Sequence, residues 1–423
     1  MKKITQKILK ILAKLVLNKY KPEVIAITGS VGKTSTKEAI YTVLKSKFLV
    51  RRSIKNYNNE LGVPLTILNL PAAGKSLSGW LKIYFKGLKL IFKRDKTYPK
   101  ILVLEMAADK IGDIKYLTSF VPRKAGVITT VEKVHLEYFG SLEKIAAEKQ
   151  GVISDLKKNA YAILNADNPL IYNMEQKTRA KILTFGFSEK AQIKAAELAI
   201  SEKNGIKGIS FKLVSDGKVI PVFLPDILGK QQVYAALAAA CVGIIYGMNL
   251  LEISEALKNY KAPAGRMNLI KGIKNSLIID DTYNASPAST LAALEALENI
   301  SFSKRKLAIL GDMLELGSYT EEGHREVGKK AARVVNFLIT VGEKARDIKR
   351  GSLENGFDSK SVFNFPNITV AGKFAQEKIQ EGDIILIKGS QGMRMEKITK
   401  ELMADPLRAE KLLARQGEEW QKK

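Results

Sequence analysis

The sequence has little cysteine, little histidine and no long apolar run. Cys241 is the only cysteine, so no internal disulfide can brace the chain. Its setting in Ala235-Ala-Leu-Ala-Ala-Ala-Cys-Val-Gly243 reads as a buried helical thiol rather than a reactive one, which fits a reducing, cytoplasmic compartment. No stretch of about 18 uncharged apolar residues occurs, so no transmembrane helix is expected. Lysines interrupt the N-terminal apolar positions and no small-residue cleavage site follows them, which argues against a signal peptide. Zinc-finger, helix-turn-helix and RNP-type patterns are missing, so no specific nucleic-acid partner is expected. Internal repeats and low-complexity tracts are missing as well.

Basic charge is abundant. The chain carries 69 Lys and Arg against 43 Asp and Glu, a net charge of +26 over 423 residues. That length allows two or three domains with full cores, and the charge suits anionic partners. Two stretches concentrate it. Residues 1–21 place Ile4, Ile8, Ile11, Leu12 and Leu15 at helical spacing among lysines. Residues 77–96 mix Trp80, Leu81, Tyr84, Phe85, Leu88, Ile91 and Phe92 with Lys82, Lys86, Lys89, Lys93 and Arg94. Basic faces opposite aromatic ones suit helices lying on an anionic membrane surface. They equally suit core-packed helices with solvated lysines.

The stretch that organises the chain is Val24-Ile-Ala-Ile-Thr-Gly-Ser-Val-Gly-Lys-Thr-Ser-Thr36. Val24 to Ile27 read as a buried strand, Gly29 and Gly32 bracket a tight turn, and Lys37 to Leu44 read as the following helix. Strand, glycine loop, lysine, hydroxyl and helix make a phosphate cradle, because loop amides and the helix dipole face the anion. Lys33 reaches the β/γ-phosphates in this reading and the Thr34 hydroxyl sits on Mg²⁺. The loop is a shorter variant of the P-loop, since Ile27 stands where the first glycine is usual. A chance glycine turn is the alternative; ATP is the expected ligand.

Apolar runs at 101–104, 125–130 and 160–164 alternate with helical segments, one of them Ser141 to Leu156. Asn56-Tyr-Asn-Asn-Glu-Leu-Gly-Val-Pro64 reads as an ordered loop. The rhythm implies an α/β fold with a doubly wound, mostly parallel sheet, whose ligands sit at the strands' carboxyl ends. Thr28 to Thr34, Glu105, His135 and Asn165 all follow strand ends, so one shared site is expected. Residues 181–225 read as short strands with a hairpin turn at Ser215-Asp-Gly-Lys218, and Ala235 to Leu257 as helix. Ala262-Pro-Ala-Gly-Arg266 reads as a domain boundary. Strands at 277–280, 307–310, 337–341 and 384–387 continue the α/β rhythm, and a helix from about Met395 leads to a solvent-exposed tail after Arg408.

Together these strings resemble the Mur ligases. The Gly29-x-x-Gly-Lys-Thr-Ser loop, Asn56–Pro64, Glu105-Met, His135-Leu-Glu-Tyr-Phe-Gly-Ser141 and Asn165-Ala-Asp167 carry the resemblance in the first half. Gly265-Arg266, Asp280-Asp-Thr-Tyr-Asn-Ala-Ser-Pro287, Leu310-Gly-Asp-Met-Leu-Glu-Leu-Gly317 with His324, and Lys388-Gly-Ser-Gln-Gly-Met393 carry it in the second. The resemblance spans about residues 22–403 and is nearest to members that add D-alanyl-D-alanine to a UDP-N-acetylmuramoyl-tripeptide. It implies a central ATP-binding domain over 22–262, with 77–96 as an insertion, and a C-terminal Rossmann-like domain over 263–423. It also implies a monomer that activates a carboxylate as an acyl phosphate for attack by an amine, using ATP and two Mg²⁺ ions.

By the same resemblance, Gly29, Ser30, Gly32, Lys33, Thr34 and Ser35 hold the ATP phosphates, Asn165 and Asn284 contact the adenine nucleotide, and Arg266 reaches its phosphates beside Asp281. Glu105 and Thr34 hold one Mg²⁺ and His135 a second. Lys149 corresponds to a carbamylated lysine serving the metals, although the acidic residue that commonly follows it is Gln150 here. Lys33, His135, Lys149 and Arg266 are the implied catalytic set. Asn56, Asn58 and Asn59 fall on the substrate side of the first domain, and Asp312, Glu315, His324, Lys388 and Ser390 on the side of the incoming amine. One departure stands out: 23 residues precede Val24, too few for the family's usual uridine-nucleotide-binding domain. A donor held differently, supplied with a partner protein, or carried on a lipid at the inner face of the membrane is the corresponding expectation. Two rival readings are a ligase acting on a folate-type or cyanophycin-type substrate and a membrane-bound nucleotide-binding scaffold without ligase activity.

Overall fold

The computed structural model describes residues 2–54, 57–74, 76–132, 136–203, 205–301, 305–417 and 420. Two sheets organise them. The first contains β1 (Glu23–Thr28), β2 (Val50–Arg52), β3 (Ile101–Glu105), β4 (Ala125–Ile128), β5 (Tyr161–Asn165), β6 (Lys181–Gly186), β7 (Ile193–Lys203), β8 (Ile206–Ser215) and β9 (Lys218–Pro225), in the order β2-β3-β1-β4-β5-β6-β7-β8-β9. Pairing is parallel from β2 to β7 and antiparallel through β8 and β9. The second contains β10 (Asn268–Lys271), β11 (Leu277–Asp281), β12 (Lys306–Gly311), β13 (Phe337–Val341), β14 (Val362–Phe365) and β15 (Ile384–Lys388), in the order β10-β11-β15-β12-β13-β14. Only β10 runs antiparallel there.

The central strands are continuous apolar runs because helices cover both sheet faces. Helix α2 (Lys33–Lys45) packs with the helix Lys230–Ile245 on one face of the first sheet through Ala39, Ile40, Val43, Ala236 and Ala240. Helices α1 (Lys2–Tyr20), α3 (Gly62–Leu68) and α4 (Leu77–Phe92) lie on the other face, where α1 buries Leu9, Leu12, Ala13, Val16 and Leu17. The core beside α2 continues through Met267 to Ile279, Ala285 and Leu294 of the second unit.

Several boundaries differ from the sequence expectation for identifiable reasons. The loop expected over 56–64 gives way to α3 at Gly62. Pro64 sits in that helix's first turn, where its missing N–H costs nothing, and Asn59 Oδ1 accepts from the amides of Leu61 and Gly62. The helix expected over Ala235–Leu257 is two, Lys230–Ile245 and Leu250–Leu257. The second starts at a capping box in which Asn249 and Glu252 bond each other's amides. The helix expected to reach Leu156 ends at Gln150. The tail after Arg408 is not solvent-exposed throughout: Ala409, Leu413 and Ala414 are buried. Arg415 pairs with the buried Glu396 at 2.8 Å and donates to the carbonyls of Thr282 and Tyr283, which ties the tail to the loop after β11.

Asp280, on β11, is fully buried. Its Oδ1 accepts from Thr282 Oγ1 (2.7 Å) and Thr399 Oγ1 (3.1 Å), while Oδ2 has no hydrogen-bond partner among the described residues. Burial raises its carboxyl from 3.8 to about 6. Between those values the folded state holds a proton that the unfolded chain has lost, so this group lowers stability as pH rises through the window and leaves it lowered above. We expect Asp280→Asn to remove that slope. Relative to the wild type, the variant gains on the order of 2 kcal/mol between pH 4 and pH 7, read from thermal unfolding at both values.

Candidate active site

The site begins where β1 ends. A Cβ at Gly29 would stand 2.0 Å from Thr129 Oγ1, so only glycine lets the loop pass β4 this closely. Gly32, at φ +85°, starts α2, and no side chain caps that helix; its leading residues from Gly32 to Ser35 line a cleft. Thr130 Oγ1 accepts from the amide of Val31 at 2.9 Å and steadies the turn. The Lys33 ammonium donates to the carbonyls of Gly29 (2.7 Å) and Ser30 (3.0 Å), and its desolvation lowers its pKa. Loop amides, helix dipole and an ammonium thus converge as a phosphate site requires.

Parallel pairing brings the next residues in. Glu105 pairs in register with Ile27, so its carboxylate emerges beside the loop. It is 3 % exposed; Asn58 Nδ2 donates to Oε1 at 2.9 Å, and Oε2 has no hydrogen-bond partner among the described residues. The Lys37 ammonium stands 3.9 Å from Oε2, beyond hydrogen-bond reach, and 3.3 Å from Glu38. A buried carboxylate oxygen aimed at a cleft that Thr34 shares is a fitting ligand for a hard cation. Among the described residues no three His, Cys, Asp or Glu side chains cluster as a metal site. Lys149, on the helix Leu142–Gln150, is 3 % exposed, and desolvation, reinforced by the charge of Lys33, brings its ammonium down to about 7.

The opposite wall comes from the second sheet. Parallel register sets Asp281 of β11 beside Lys388 of β15, and Lys388 Nζ donates to Asp281 Oδ2 (2.6 Å) and the Asn284 carbonyl (2.8 Å). Burial pushes the Asp281 carboxyl up, against the opposing pull of Lys388. The Arg266 guanidinium lies 4.2 Å from the centre of the Tyr283 ring, and that of Arg415 5.2 Å from it. Gln232 links the two walls: its Nε2 donates to the Arg266 carbonyl (2.9 Å), while Tyr260 Oη donates to its Oε1 (2.7 Å) and reaches the Ser35 carbonyl at 3.3 Å. The enclosed volume is about 450 Å³.

This cleft brings together Ser30, Gly32, Lys33, Thr34, Ser35, Asn58, Glu105, Arg266, Asp281, Asn284, Glu315, Lys388 and Ser390. The other expected residues that the structure describes stand apart from it. Gly29, packed against Thr129, and Lys149 are outside the cleft lining, and Asn59 Oδ1 is spent on the Leu61 and Gly62 amides before α3. Asn165 Nδ2 donates to the Thr129 carbonyl (2.8 Å) and its Oδ1 accepts from the Asp167 amide (3.0 Å), so its amide joins the ends of β4 and β5. Asp312 Oδ1 accepts from the Ala345 amide at 2.7 Å. His324 is fully buried; Nε2 accepts from the Met313 amide (3.0 Å), which leaves Nδ1 to donate to the Thr320 carbonyl (2.6 Å). Such a ring is neutral, and desolvation lowers its pKa further. His324 therefore supports the loop at Met313 rather than facing the cleft. Asn56 and His135 lie outside the described residues. Sequence reasoning overlooked Lys37, Gln232 and Tyr283. Tyr283 lay inside a quoted string, but Gln232 and Lys37 sit on helices with no local pattern to mark them.

Comparison with known proteins agrees with this geometry. The family model of the Mur ligase middle domain matches residues 27–77 and 85–243, and that of the Mur ligase glutamate ligase domain matches 265–391. The UDP-N-acetylmuramoyl-tripeptide–D-alanyl-D-alanine ligase of Bacillus subtilis is 32% identical over 400 residues, covering 94% of this chain and 79% of its own length. The crystal structure of the MurF ligase from Thermotoga maritima in complex with ADP superposes with a TM-score of 0.77 at 28% identity, covering 96% of this chain and 84% of that one. MurF from Acinetobacter baumannii reaches 0.77 at 25% identity, covering 94% and 80%. Two domain models in the same order and a 32% identical relative over nearly all of its residues place this chain in the Mur ligase family.

Proposed function

We propose that this protein is an ATP-dependent ligase that joins D-alanyl-D-alanine to the peptide carboxylate of a UDP-N-acetylmuramoyl-tripeptide. One observation carries the reading: Lys33 and Glu105 on one wall of a single cleft face Arg266, Asp281 and Lys388 on the other. A carboxylate oxygen of the donor attacks the γ-phosphorus of ATP, the bond to the β-phosphate oxygen breaks, and ADP leaves an acyl phosphate. The dipeptide's amine then attacks the acyl carbon and loses its proton, and phosphate departs with one former carboxylate oxygen.

Lys33 exchanges its loop carbonyls for phosphate oxygens, and Arg266, steadied against Tyr283, approaches them from the domain junction. Both cations offset charge on the transferring phosphoryl group. Glu105 and Thr34 would hold Mg²⁺, with His135 and a carbamylated Lys149 serving a second ion; bound there, the ions shield the phosphate charge. Asp281, tied to Lys388, orients the loop through Asn284, whose Oδ1 accepts from the Gln391 amide at 3.2 Å. Lys388, Ser390 and Glu315 line the side where the amine enters.

Phosphate release is measured with ATP, donor and dipeptide, each omitted in turn, alongside the mass of the product. The expected result is release that needs all three and a product heavier by the dipeptide; release without the dipeptide, or without the product, contradicts the reading. Lys33→Ala is expected to lower turnover by roughly 10²–10³-fold with unchanged melting, because among the described residues Lys33 hydrogen-bonds its own loop alone.

Carbamylation joins the neutral Lys149 amine to the carbon of CO₂, with loss of a proton. Labelling with ¹³C-bicarbonate should give a carbamate resonance in the wild type and none in Lys149→Arg. A wild type without that resonance excludes the modification. With an ammonium near 7, the resonance and the turnover should both fade as pH drops below neutrality.

A further inference from the structure

Helix α4 shows its apolar side to solvent. It buries only Ile83 and Gly87, the latter against Leu12 of α1 and Leu68 of α3. Leu77, Leu81, Phe85, Leu88 and Phe92 are exposed by 67, 58, 78, 41 and 84% of their surface. Their spacing aligns them in one stripe along the whole helix. One position further round runs a second stripe, the exposed Lys82, Lys86, Lys89 and Lys93. Alongside, Thr5 bonds Tyr84, Leu12 abuts Gly87, and Lys19 donates to the carbonyls of Leu90 and Ile91, so α1 runs parallel to α4. α1 adds exposed Lys3, Lys7 and Lys14 with Ile4, Ile11 and Leu15. Neither helix contains an acidic residue.

We infer that α4, flanked by the lysines of α1, docks this protein on an anionic lipid bilayer. The apolar stripe sinks into the boundary between headgroups and acyl chains while the lysine stems reach the phosphates. Charge selects this occupant over a second copy of the chain, because pairing two such faces would bring both lysine rows together. No described helix is long and apolar enough to cross a membrane, so the contact is peripheral. The middle-domain match is interrupted at residues 78–84, inside the first half of α4. The flanking helix α1 touches the segment that leads into the cleft: Gln6 Nε2 donates to Glu60 Oε1 at 2.8 Å, and Asn58, two residues away, holds Glu105. Docking therefore brings the donor side of the cleft close to the bilayer surface.

The test is flotation of the full chain with phosphatidylglycerol–phosphatidylcholine vesicles and with phosphatidylcholine vesicles at physiological salt. It compares the wild type with F85S/F92S and with K82Q/K86Q/K89Q/K93Q. We expect the wild type to float with the anionic vesicles, and at least tenfold less protein to float with neutral vesicles or in either variant. Both variants should melt like the wild type, since the altered side chains stand in solvent. Failure of the wild type to float overturns the inference, as does equal flotation of the variants. A dimer seen by light scattering that F85S/F92S dissolves would assign the stripe to a second copy instead. Turnover with water-soluble substrates needs no bilayer, so flotation and the ligase reading fail independently.

Discussion

Parallel pairing of β11 with β15 sets Asp281 directly beside Lys388, and parallel pairing of β1 with β3 sets Glu105 beside the strand that feeds the Gly29–Thr34 loop. Everything in the cleft depends on these two registers. A shift of one residue in either would turn a charged group into an apolar core and carry an isoleucine or leucine to the loop. Because both sheets point their carboxyl ends at the same space, each domain brings charges of both signs to a single cleft.

Such charges are costly to bury, and their compensation differs between the walls. Lys388 and Asp281 neutralise each other, with the Asn284 carbonyl taking a further ammonium hydrogen. Glu105 keeps one oxygen without a hydrogen bond, and the Arg266 Nε is likewise buried without a partner. Unsatisfied charged groups that line a cleft are where a charged ligand gains most. The network Ser35–Tyr260–Gln232–Arg266 spans the junction: two side chains, Tyr260 and Gln232, join the Ser35 carbonyl at the start of α2 to the Arg266 carbonyl.

The central strands and the phosphate loop were legible in the sequence because burial on both faces leaves uninterrupted apolar runs, and because a loop of this kind needs glycine, lysine and hydroxyl in order. β2, β10 and β14 were not, for one reason: all are edge strands with at most one buried residue, and Val50-Arg-Arg52 carries charges that protect an open edge. Within the site, residues that touch the cleft could not be told from residues that build it. Asn165 and His324 sit in strings typical of the family, yet their polar atoms are spent on backbone groups of neighbouring strands and loops. Asn59 closes a local turn onto the Leu61 and Gly62 amides before α3, a role open to any asparagine in such a turn. Arg415 gave no local signal, since its partners Glu396 and Tyr283 are distant in sequence.

Both basic stretches were open to two readings, and the structure separates them by face. α1 sends one side into the core and α4 sends very little, which leaves its aromatic stripe as surface. The central claim, however, concerns chemistry in the cleft, and oxygen transfer tests it most directly. A donor labelled with ¹⁸O in its reacting carboxylate is turned over with ATP and D-alanyl-D-alanine, and the released phosphate is weighed. Phosphate carrying one labelled oxygen is the predicted result, because the acyl phosphate's bridging oxygen leaves with phosphorus. Unlabelled phosphate formed alongside amide product would contradict the account.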